Sequence, residues 1–148
     1  MIGVSTESLK DTWTAIFLRR GGDGAYTRLF DNLQPAQKST LASVLKFSPM
    51  ELPVIGSVQS ASDWLALTTE RLVWSVGGKR NELAVEAIRD AKADLRKLQL
   101  THQSKADMRE LQIMTVNEEN FTIELEPGKA LSGTWNVLKN IGARNRKR

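Results

Sequence analysis

The sequence predicts an α+β protein in which helices precede a set of antiparallel strands and one further helix closes the chain. Residues 1–48 carry apolar side chains at helical spacing, whereas from about residue 52 apolar and polar side chains alternate in short runs. The clearest run is 64–76, where two apolar segments flank a polar centre, as in a hairpin. A stripe from 131 to 141 then returns to helical spacing.

The first helix is predicted to begin at Ser5, whose hydroxyl can cap the free backbone N–H groups of a first turn. Apolar residues from Leu9 to Phe17 follow at i, i+4, i+7 and i+8, which places them on one face. The glycine-rich stretch 21–24 then interrupts the pattern. The sequence therefore predicts one amphipathic helix that ends near residue 20.

Two more helices are predicted before the strands begin. Apolar residues within Tyr26–Leu33 keep helical spacing, and Pro35 suits the first turn of the helix after them. Pro49 and Pro53 mark the change of pattern, so we expect a helical segment over 1–48.

The strand-rich part is predicted to start at Val54–Val58 and to contain two hairpins, at 64–76 and at 111–125. The closing helix follows Pro127, with Ser132 or Thr134 as its cap and Gly142 near its end. The segment Asn81–Leu100 can be interpreted as one long helix or as two strands. Its apolar spacing and alanine content favour the helix.

Composition limits the functions to be considered. The 148 residues suffice for one compact domain, and no cysteine is present, which excludes disulfides, thiol nucleophiles and thiolate metal ligands and fits a cytoplasmic location. No apolar run approaches the roughly 18 residues of a membrane span. The net charge is +4, but four basic residues fall within the last five positions, 144–148. Nucleic-acid binding is therefore not expected beyond this basic tail, which we expect to fray.

Residues 52–143 resemble bacterial pleckstrin-homology-like domains, a group that includes GRAM-like proteins. The resemblance rests on Leu67–Trp74, Ile88, Asp90, Leu111–Thr115, Phe121–Leu125, Trp135 and Leu138. It implies a bent antiparallel barrel of about seven strands with a C-terminal capping helix. It also implies strands at Leu83–Ile88 and Leu95–Leu100, against local propensity. The expected organisation is a helical segment, 1–48, followed by barrel, helix and tail over 49–148.

Several side chains are candidates for binding. Arg71, Lys79 and Arg80 could form a basic mouth of the barrel, as in relatives that bind phosphoinositides. Trp64 begins a strand after polar residues, so we expect it to be half exposed and a candidate interface anchor. The other three tryptophans are expected in the core. An acidic strip around the last hairpin could contact a basic partner, and its members are Glu118, Glu119, Glu124 and Glu126.

No catalytic, metal-binding or cofactor-binding set is predicted. His102 is the only histidine and reads as a loop residue. The glycine-rich stretch 21–24 could cradle a phosphate before a helix, but the Lys-Ser/Thr of a phosphate loop does not follow it. We therefore expect an ordinary loop there.

The sequence leads to three functional hypotheses. The first is a non-enzymatic protein-binding module of the immunity type, which binds and neutralises a cognate toxin domain. This hypothesis is an analogy drawn from fold and size. The second is a peripheral regulatory module that binds anionic lipid headgroups through Arg71, Lys79 and Arg80. The third is an enzyme that uses the carboxylates between Glu118 and Glu126.

Overall fold

The computed structural model describes residues 5–94, 99–100 and 107–147. Within them the architecture is α+β. A five-stranded antiparallel sheet contains, in spatial order, β1 (Thr27–Leu29), β2 (Pro53–Val58), β3 (Trp64–Thr68), β4 (Arg71–Val76) and β5 (Lys79–Ala84). A three-stranded sheet contains β6 (Ile88–Lys92), β7 (Glu110–Thr115) and β8 (Asn120–Glu124). The long helices are α1 (Thr6–Arg20), α2 (Pro35–Leu45) and α3 (Lys129–Arg146).

Helix α1 confirms the first predicted helix. The Ser5 hydroxyl accepts a hydrogen bond from the Ser8 backbone N–H at 3.1 Å, and Trp13 and Phe17 are buried. Phe17 packs directly on Gly133 of α3, where an added Cβ would lie 2.8 Å from the ring and from the Phe17 carbonyl oxygen. The two helices therefore approach each other closely, with the end of α1 beside the start of α3.

The second predicted helix is wrong. Tyr26–Leu33 contains strand β1 and a 3-10 turn at Phe30–Asn32. Residues Thr27–Leu29 pair with β2, and a carboxylate from elsewhere in the chain binds the backbone N–H groups that precede them. These long-range hydrogen bonds override the apolar spacing, which by itself suggested a helix.

Helix α2 begins at Pro35, as predicted, and covers the outer face of the large sheet. Leu41 of α2 belongs to a small apolar cluster with Trp64 of β3 and Val73 of β4. The central strands β3 and β4 are consequently buried on both faces.

The main core lies between the inner faces of the two sheets and is closed by α1 and α3. Leu67, Leu72, Ile113 and Leu138 are completely buried within it. Both predicted hairpins are present, β3–β4 and β7–β8. In the described residues the two sheets share no strand pairing, so they do not close into a barrel.

The segment Asn81–Leu100 is not one helix, and its strands differ from those expected. Strand β5 ends at Ala84, a 3-10 turn occupies Val85–Ala87, and β6 starts at Ile88, so the predicted strand Leu83–Ile88 spans a corner. Hydrogen bonds from Val85 N–H to the Glu70 carbonyl and from Val116 N–H to the Ala87 carbonyl fix this corner. Residues 95–98 of the other predicted strand lie outside the described part, and Gln99 and Leu100 are helical.

Helix α3 starts earlier and ends later than predicted. Gly128 precedes its first residue, so neither Ser132 nor Thr134 is the cap. The helix continues to Arg146, which corrects the expectation of a frayed tail. Gly142 lies inside the helix rather than at its end. Glycine suits this position because a Cβ there would lie 2.3 Å from the Arg89 carbonyl oxygen of β6. Among the described residues, no helix is long and apolar enough to cross a membrane.

Candidate functional site

The three basic residues of the predicted headgroup site do not converge. Arg71 is held inside the fold: its Nε donates to Glu51 Oε2 at 2.8 Å, Nη1 donates to Glu82 Oε1 at 3.0 Å, and Nη2 donates to the Leu45 carbonyl at 2.7 Å. Its side chain is 18% exposed and that of Glu51 is 1% exposed. The guanidinium therefore joins the end of α2 to the sheet and is already fully engaged.

The Glu51 carboxylate is stabilised in its ionised form by this network. Burial opposes its ionisation, but hydrogen bonds from Arg71, Thr68 and the Ser48 backbone outweigh burial and lower the pKa of Glu51 from its ordinary value. The same pairing raises the pKa of Arg71, chiefly through the hydrogen bond to Glu51. This buried ion pair holds the segment between α2 and β2 against the start of β4.

Arg80 and Lys79 extend from opposite faces of β5, because neighbouring residues of a strand alternate. The Arg80 guanidinium lies 5.9 Å from the Trp64 ring centroid and donates to the Val44 carbonyl at 2.8 Å. Trp64 beneath it is 7% exposed, so it is a core residue and not the half-exposed anchor expected from the sequence. Lys79 is exposed at the β4–β5 turn.

The four glutamates of the predicted acidic strip do not form one site. Glu118 and Glu119 lie in the β7–β8 turn, whereas Glu124 is exposed at the far end of β8. Glu124 lies five positions after Glu119 along an extended strand, which corresponds to a distance of roughly 16 Å. Among the described residues, no group of three histidine, cysteine or acidic side chains could hold a metal ion.

Glu126 has a structural role that the sequence did not indicate. Its carboxylate accepts hydrogen bonds from the backbone N–H groups of Ala25 at 2.5 Å, Tyr26 at 2.8 Å and Thr27 at 2.9 Å. A Cβ at Gly24 would lie 2.4 Å from the carboxylate, so glycine leaves the space that the carboxylate occupies. The backbone donors are the three residues that follow the glycine-rich stretch 21–24, and the anion they bind is the chain's own Glu126.

These hydrogen bonds control the ionisation of Glu126. Burial opposes ionisation, but the three backbone donors and the charge of Arg28 outweigh it, so the pKa of Glu126 is lowered. The carboxylate fastens the loop before β1 to the segment between β8 and α3, about 100 residues away in the chain.

A groove with an excess of positive charge lies between α1, β6 and α3 and is here called the basic groove. Its volume is about 380 Å³. Four cations line it, contributed by both helices, and one carboxylate is present. The charged residues are Arg19, Arg20, Lys139, Arg146 and Asp90; Ile16, Asn136, Asn140 and Ala143 complete the wall.

Helix packing brings these residues together. The Ser132 hydroxyl donates to the Arg20 carbonyl at 2.8 Å, which fixes the end of α1 against the first turn of α3. At the other end, an Arg146 N–H donates to the Arg89 carbonyl, so the last turn of α3 is tied to β6. Hydrogen bonds therefore anchor the groove at both ends.

The positive charge of the groove is mostly unpaired. Within the part of the chain that the structure describes, no carboxylate forms an ion pair with Arg19, Arg20 or Lys139. Arg146 lies 3.9 Å from Asp90, a long separation for an ion pair. The Lys139 ammonium lies 5.1 Å from the Trp135 ring centroid, which positions it without neutralising it.

Two hydrogen-bond acceptors lie among these cations. Asn140 Oδ1 is buried and has no hydrogen-bond partner in the described residues. The Asp90 side chain is 29% exposed, and its Oδ1 accepts from the Ala91 N–H at 2.8 Å. Of the two, the Asp90 carboxylate is accessible in the groove, whereas Asn140 Oδ1 is closed to solvent.

Sequence reasoning missed this groove because its residues are distant in the chain. One signal was present: six basic residues and no acidic residue occur in 127–148, so the preceding 126 residues hold 15 basic and 17 acidic side chains. The excess was assigned to a frayed tail. In fact most of this segment is helix α3, and two of its cations, Lys139 and Arg146, line the groove with Arg19 and Arg20.

Comparison with known proteins gives no match: no family model, no curated protein and no solved structure is similar to this chain. The residues of the chain and their arrangement are therefore the basis for assigning a function.

Proposed function

We propose that this chain is a non-enzymatic binding module of the immunity type, which neutralises a cognate toxin domain by binding an acidic surface of it in the basic groove. The observation that carries the proposal is the convergence of four cations, with a single carboxylate, in one concave site built from α1, β6 and α3. Complementary charge accelerates association and selects the partner.

The strand order supports the finer part of the fold expectation. Strands β2–β5 form an antiparallel meander, β6–β8 form a second one, and a helix follows. We propose that these seven strands and α3 are a pleckstrin-homology-like unit, to which α1, β1 and α2 are added. The added α1 supplies one wall of the groove, so the binding site depends on the addition.

The lipid-headgroup hypothesis has less support from the geometry. Arg71 and Arg80 donate hydrogen bonds to Glu51, Glu82 and backbone carbonyls, and moving Arg71 to a headgroup would leave the buried Glu51 carboxylate unpaired. Only Lys79 of the predicted trio is exposed without an ion pair to a described residue.

Co-expression with the product of the adjacent gene tests the proposed function. The wild-type chain is expected to protect growth and to co-purify in a 1:1 complex. A charge-reversed groove, Arg19→Glu with Lys139→Glu, should lose protection, whereas Lys79→Glu should retain it. Lys79→Glu is the control because it reverses one charge outside the groove, as each of the two groove substitutions does within it. The proposal would be overturned if the wild-type chain formed no complex and gave no protection.

A further inference from the structure

We propose that the exposed edge of β5 pairs with the same edge of a second copy of this chain, so that two five-stranded sheets join into one continuous sheet. Strand β5 is the last strand of the large sheet, and four of its six residues are exposed. It contributes no residue to the basic groove, so the interface is independent of the proposed function.

The turn before β5 shows which backbone groups the edge leaves free. Its two residues, Gly77 and Gly78, have positive φ angles of 58° and 83°, as in a type I′ hairpin. The flanking residues Val76 and Lys79 are therefore a hydrogen-bonded pair. Hydrogen-bonded positions alternate along an antiparallel strand, so the even-numbered residues of β5 direct their N–H and C=O groups away from β4. These residues are Arg80, Glu82 and Ala84.

The edge of β5 is open in the described part of the chain. The N–H of Val85, an odd-numbered residue, donates to the Glu70 carbonyl at 2.9 Å, which agrees with the alternation. None of the described residues forms a hydrogen bond with the outward-facing backbone groups of the three even-numbered residues. These groups can therefore form a ladder with another strand.

The other sheet edges are less suited to a second copy. Helix α3 covers β6, and its Trp135 and Asn145 side chains donate to β6 carbonyl groups at 2.8 and 2.6 Å. Strand β1 has only three residues. Pairing two copies of β8 would concentrate negative charge, because the charged residues on and beside it are all acidic. They are Glu118, Glu119, Glu124 and Glu126.

The charges of β5 match a second, antiparallel copy in one register. Arg80 and Glu82 lie two positions apart and therefore on one face of the strand. When Asn81 lies opposite Asn81 of the second copy, each Arg80 lies opposite a Glu82, and opposite charges stabilise such cross-strand pairs. The two neighbouring registers place Arg80 opposite Arg80 or Glu82 opposite Glu82. Charge therefore selects one register.

These two side chains remain available to a second copy. Both are exposed, and Arg71 and Arg80 of the same chain both donate to Glu82 Oε1, so Glu82 Oε2 has no partner among the described residues. Charged side chains often protect an edge strand from pairing. On β5 the order of opposite charges makes the edge complementary to itself instead.

The pairing forms a closed dimer with twofold symmetry, in which each copy uses the same surface. The two pairs of Arg80 and Glu82 would each form two backbone hydrogen bonds, because their N–H and C=O groups face the second copy. The contact between two six-residue strands is small, so the dissociation constant should be on the order of 100 µM.

Cysteine cross-linking tests the register, because the chain has no cysteine of its own. Asn81→Cys should form an intermolecular disulfide, since opposed residues of a non-hydrogen-bonded pair have Cα atoms about 4.5 Å apart. Arg80→Cys and Glu82→Cys place their Cα atoms diagonally, about 7–8 Å apart or more, and should cross-link about 10-fold more slowly. Thr122→Cys, on the exposed edge of β8, is the control and should also cross-link slowly. The proposal is overturned if Asn81→Cys does not cross-link fastest.

Sedimentation equilibrium of charge variants tests the complementarity. Arg80→Glu and Glu82→Arg each place like charges opposite each other and should weaken self-association about 10-fold, whereas Lys79→Glu, outside the two charge pairs, should change it by less than about 3-fold. In an equimolar mixture one variant presents two carboxylates and the other two guanidinium groups, so the mixture should recover the dimer that neither forms alone.

A wild-type chain that stays monomeric well above the expected dissociation constant would overturn the proposal. A mixture of the two charge variants that associates no better than either variant alone would also overturn it, provided that both keep the wild-type circular dichroism spectrum. If a charge variant does not fold, Asn81→Cys decides the question, because it retains Arg80 and Glu82.

Discussion

Glu126 shows how one side chain can determine the local path of two distant segments. Its carboxylate accepts three backbone N–H groups of the loop before β1, and Gly24 leaves the space for it. Backbone N–H groups that find a side-chain acceptor need not continue into a helix. The loop therefore leads into a strand, although its apolar spacing is helical.

Replacing Glu126 with Gln should destabilise the protein by about 1–2 kcal/mol, because a neutral amide accepts fewer and weaker hydrogen bonds than a carboxylate. Thermal unfolding followed by circular dichroism should show a midpoint lower by roughly 4–8 °C. Glu124→Gln, two residues away and exposed on β8, is the matched control and should leave the midpoint nearly unchanged. Equal midpoints for the two variants would contradict the role assigned to Glu126.

The lowered pKa values of Glu51 and Glu126 predict acid sensitivity. A carboxyl group whose pKa is lower in the folded state stabilises that state above its unfolded pKa, for which the ordinary value is 4.5. This stability is lost as the pH falls through the folded pKa. In urea unfolding, the contribution of these groups to the free energy of unfolding should therefore be constant at neutral pH and should decrease below pH 4.5. In Glu126→Gln the decline should be shallower; an identical decline in both proteins would count against the linkage.

Arg71 predicts a larger effect, because its loss strands a buried charge. Arg71→Ala leaves Glu51, which is 4% exposed, without its cation and should cost about 3–5 kcal/mol. Arg71→Met combined with Glu51→Gln removes both charges and should recover much of that loss. Urea unfolding of the single and double variants measures the difference. A double variant less stable than Arg71→Ala would show that the pair itself, and not the stranded carboxylate, dominates.

At the scale of elements, α3 is the helix that organises the molecule. It packs on β6 and on α1 through two glycines, Gly142 against the Arg89 backbone and Gly133 against Phe17. Glycine normally weakens a helix interior by about 1 kcal/mol relative to alanine. At these two positions close packing requires it.

Gly142→Ala should therefore destabilise the protein, against helix propensity, by about 1–3 kcal/mol, since the methyl group would lie 2.3 Å from a backbone oxygen that cannot move away as a flexible side chain can. Asn136→Ala, on the same helix but only half-buried, serves as the comparison. Chemical denaturation checks both. A Gly142→Ala protein as stable as wild type would mean that α3 and β6 can separate at little cost.

Most elements could be predicted from the sequence where their signals were local. Ser5 caps α1, Pro35 starts α2, and alternation marks β3, β4, β7 and β8. Errors arose where distant partners decided the backbone. The sequence predicts a helix at Tyr26 because no local pattern shows that Glu126 binds its backbone N–H. The predicted bounds of β5 and β6 differ from the observed ones because the corner at Val85–Ala87 depends on hydrogen bonds with Glu70 and Val116.

The site was predicted less well than the fold, for a related physical reason. Trp64 is predicted to be half exposed because polar residues precede it, and Arg71 is placed in a basic barrel mouth because of the family resemblance, yet both pack under other elements. The groove joins residues of α1 to residues of α3 more than 110 positions later. The charges of the two helices form one surface only because the helices pack antiparallel to each other. No local sequence pattern predicts this contact.

At the scale of the whole molecule, charge is separated more than the net value of +4 suggests. The acid-free segment 127–148 contains the whole of α3, and its Lys139 and Arg146 line one groove with the basic end of α1, while the remainder of the chain is slightly acidic. Such separation produces a directed field that steers an acidic partner to one face and weakens as salt screens it.

The position at which an acidic ligand binds decides whether the basic groove is a binding site. Amide chemical-shift mapping of the ¹⁵N-labelled chain, titrated with a short peptide in which alanine and glutamate alternate, measures this position. We predict saturable shifts confined to the last turn of α1, to β6 near Asp90 and to Asn136–Arg146 of α3, reversed by added salt. Shifts centred on Lys79 at the β4–β5 turn, or no saturable shifts, would contradict the assignment of the basic groove as the binding site.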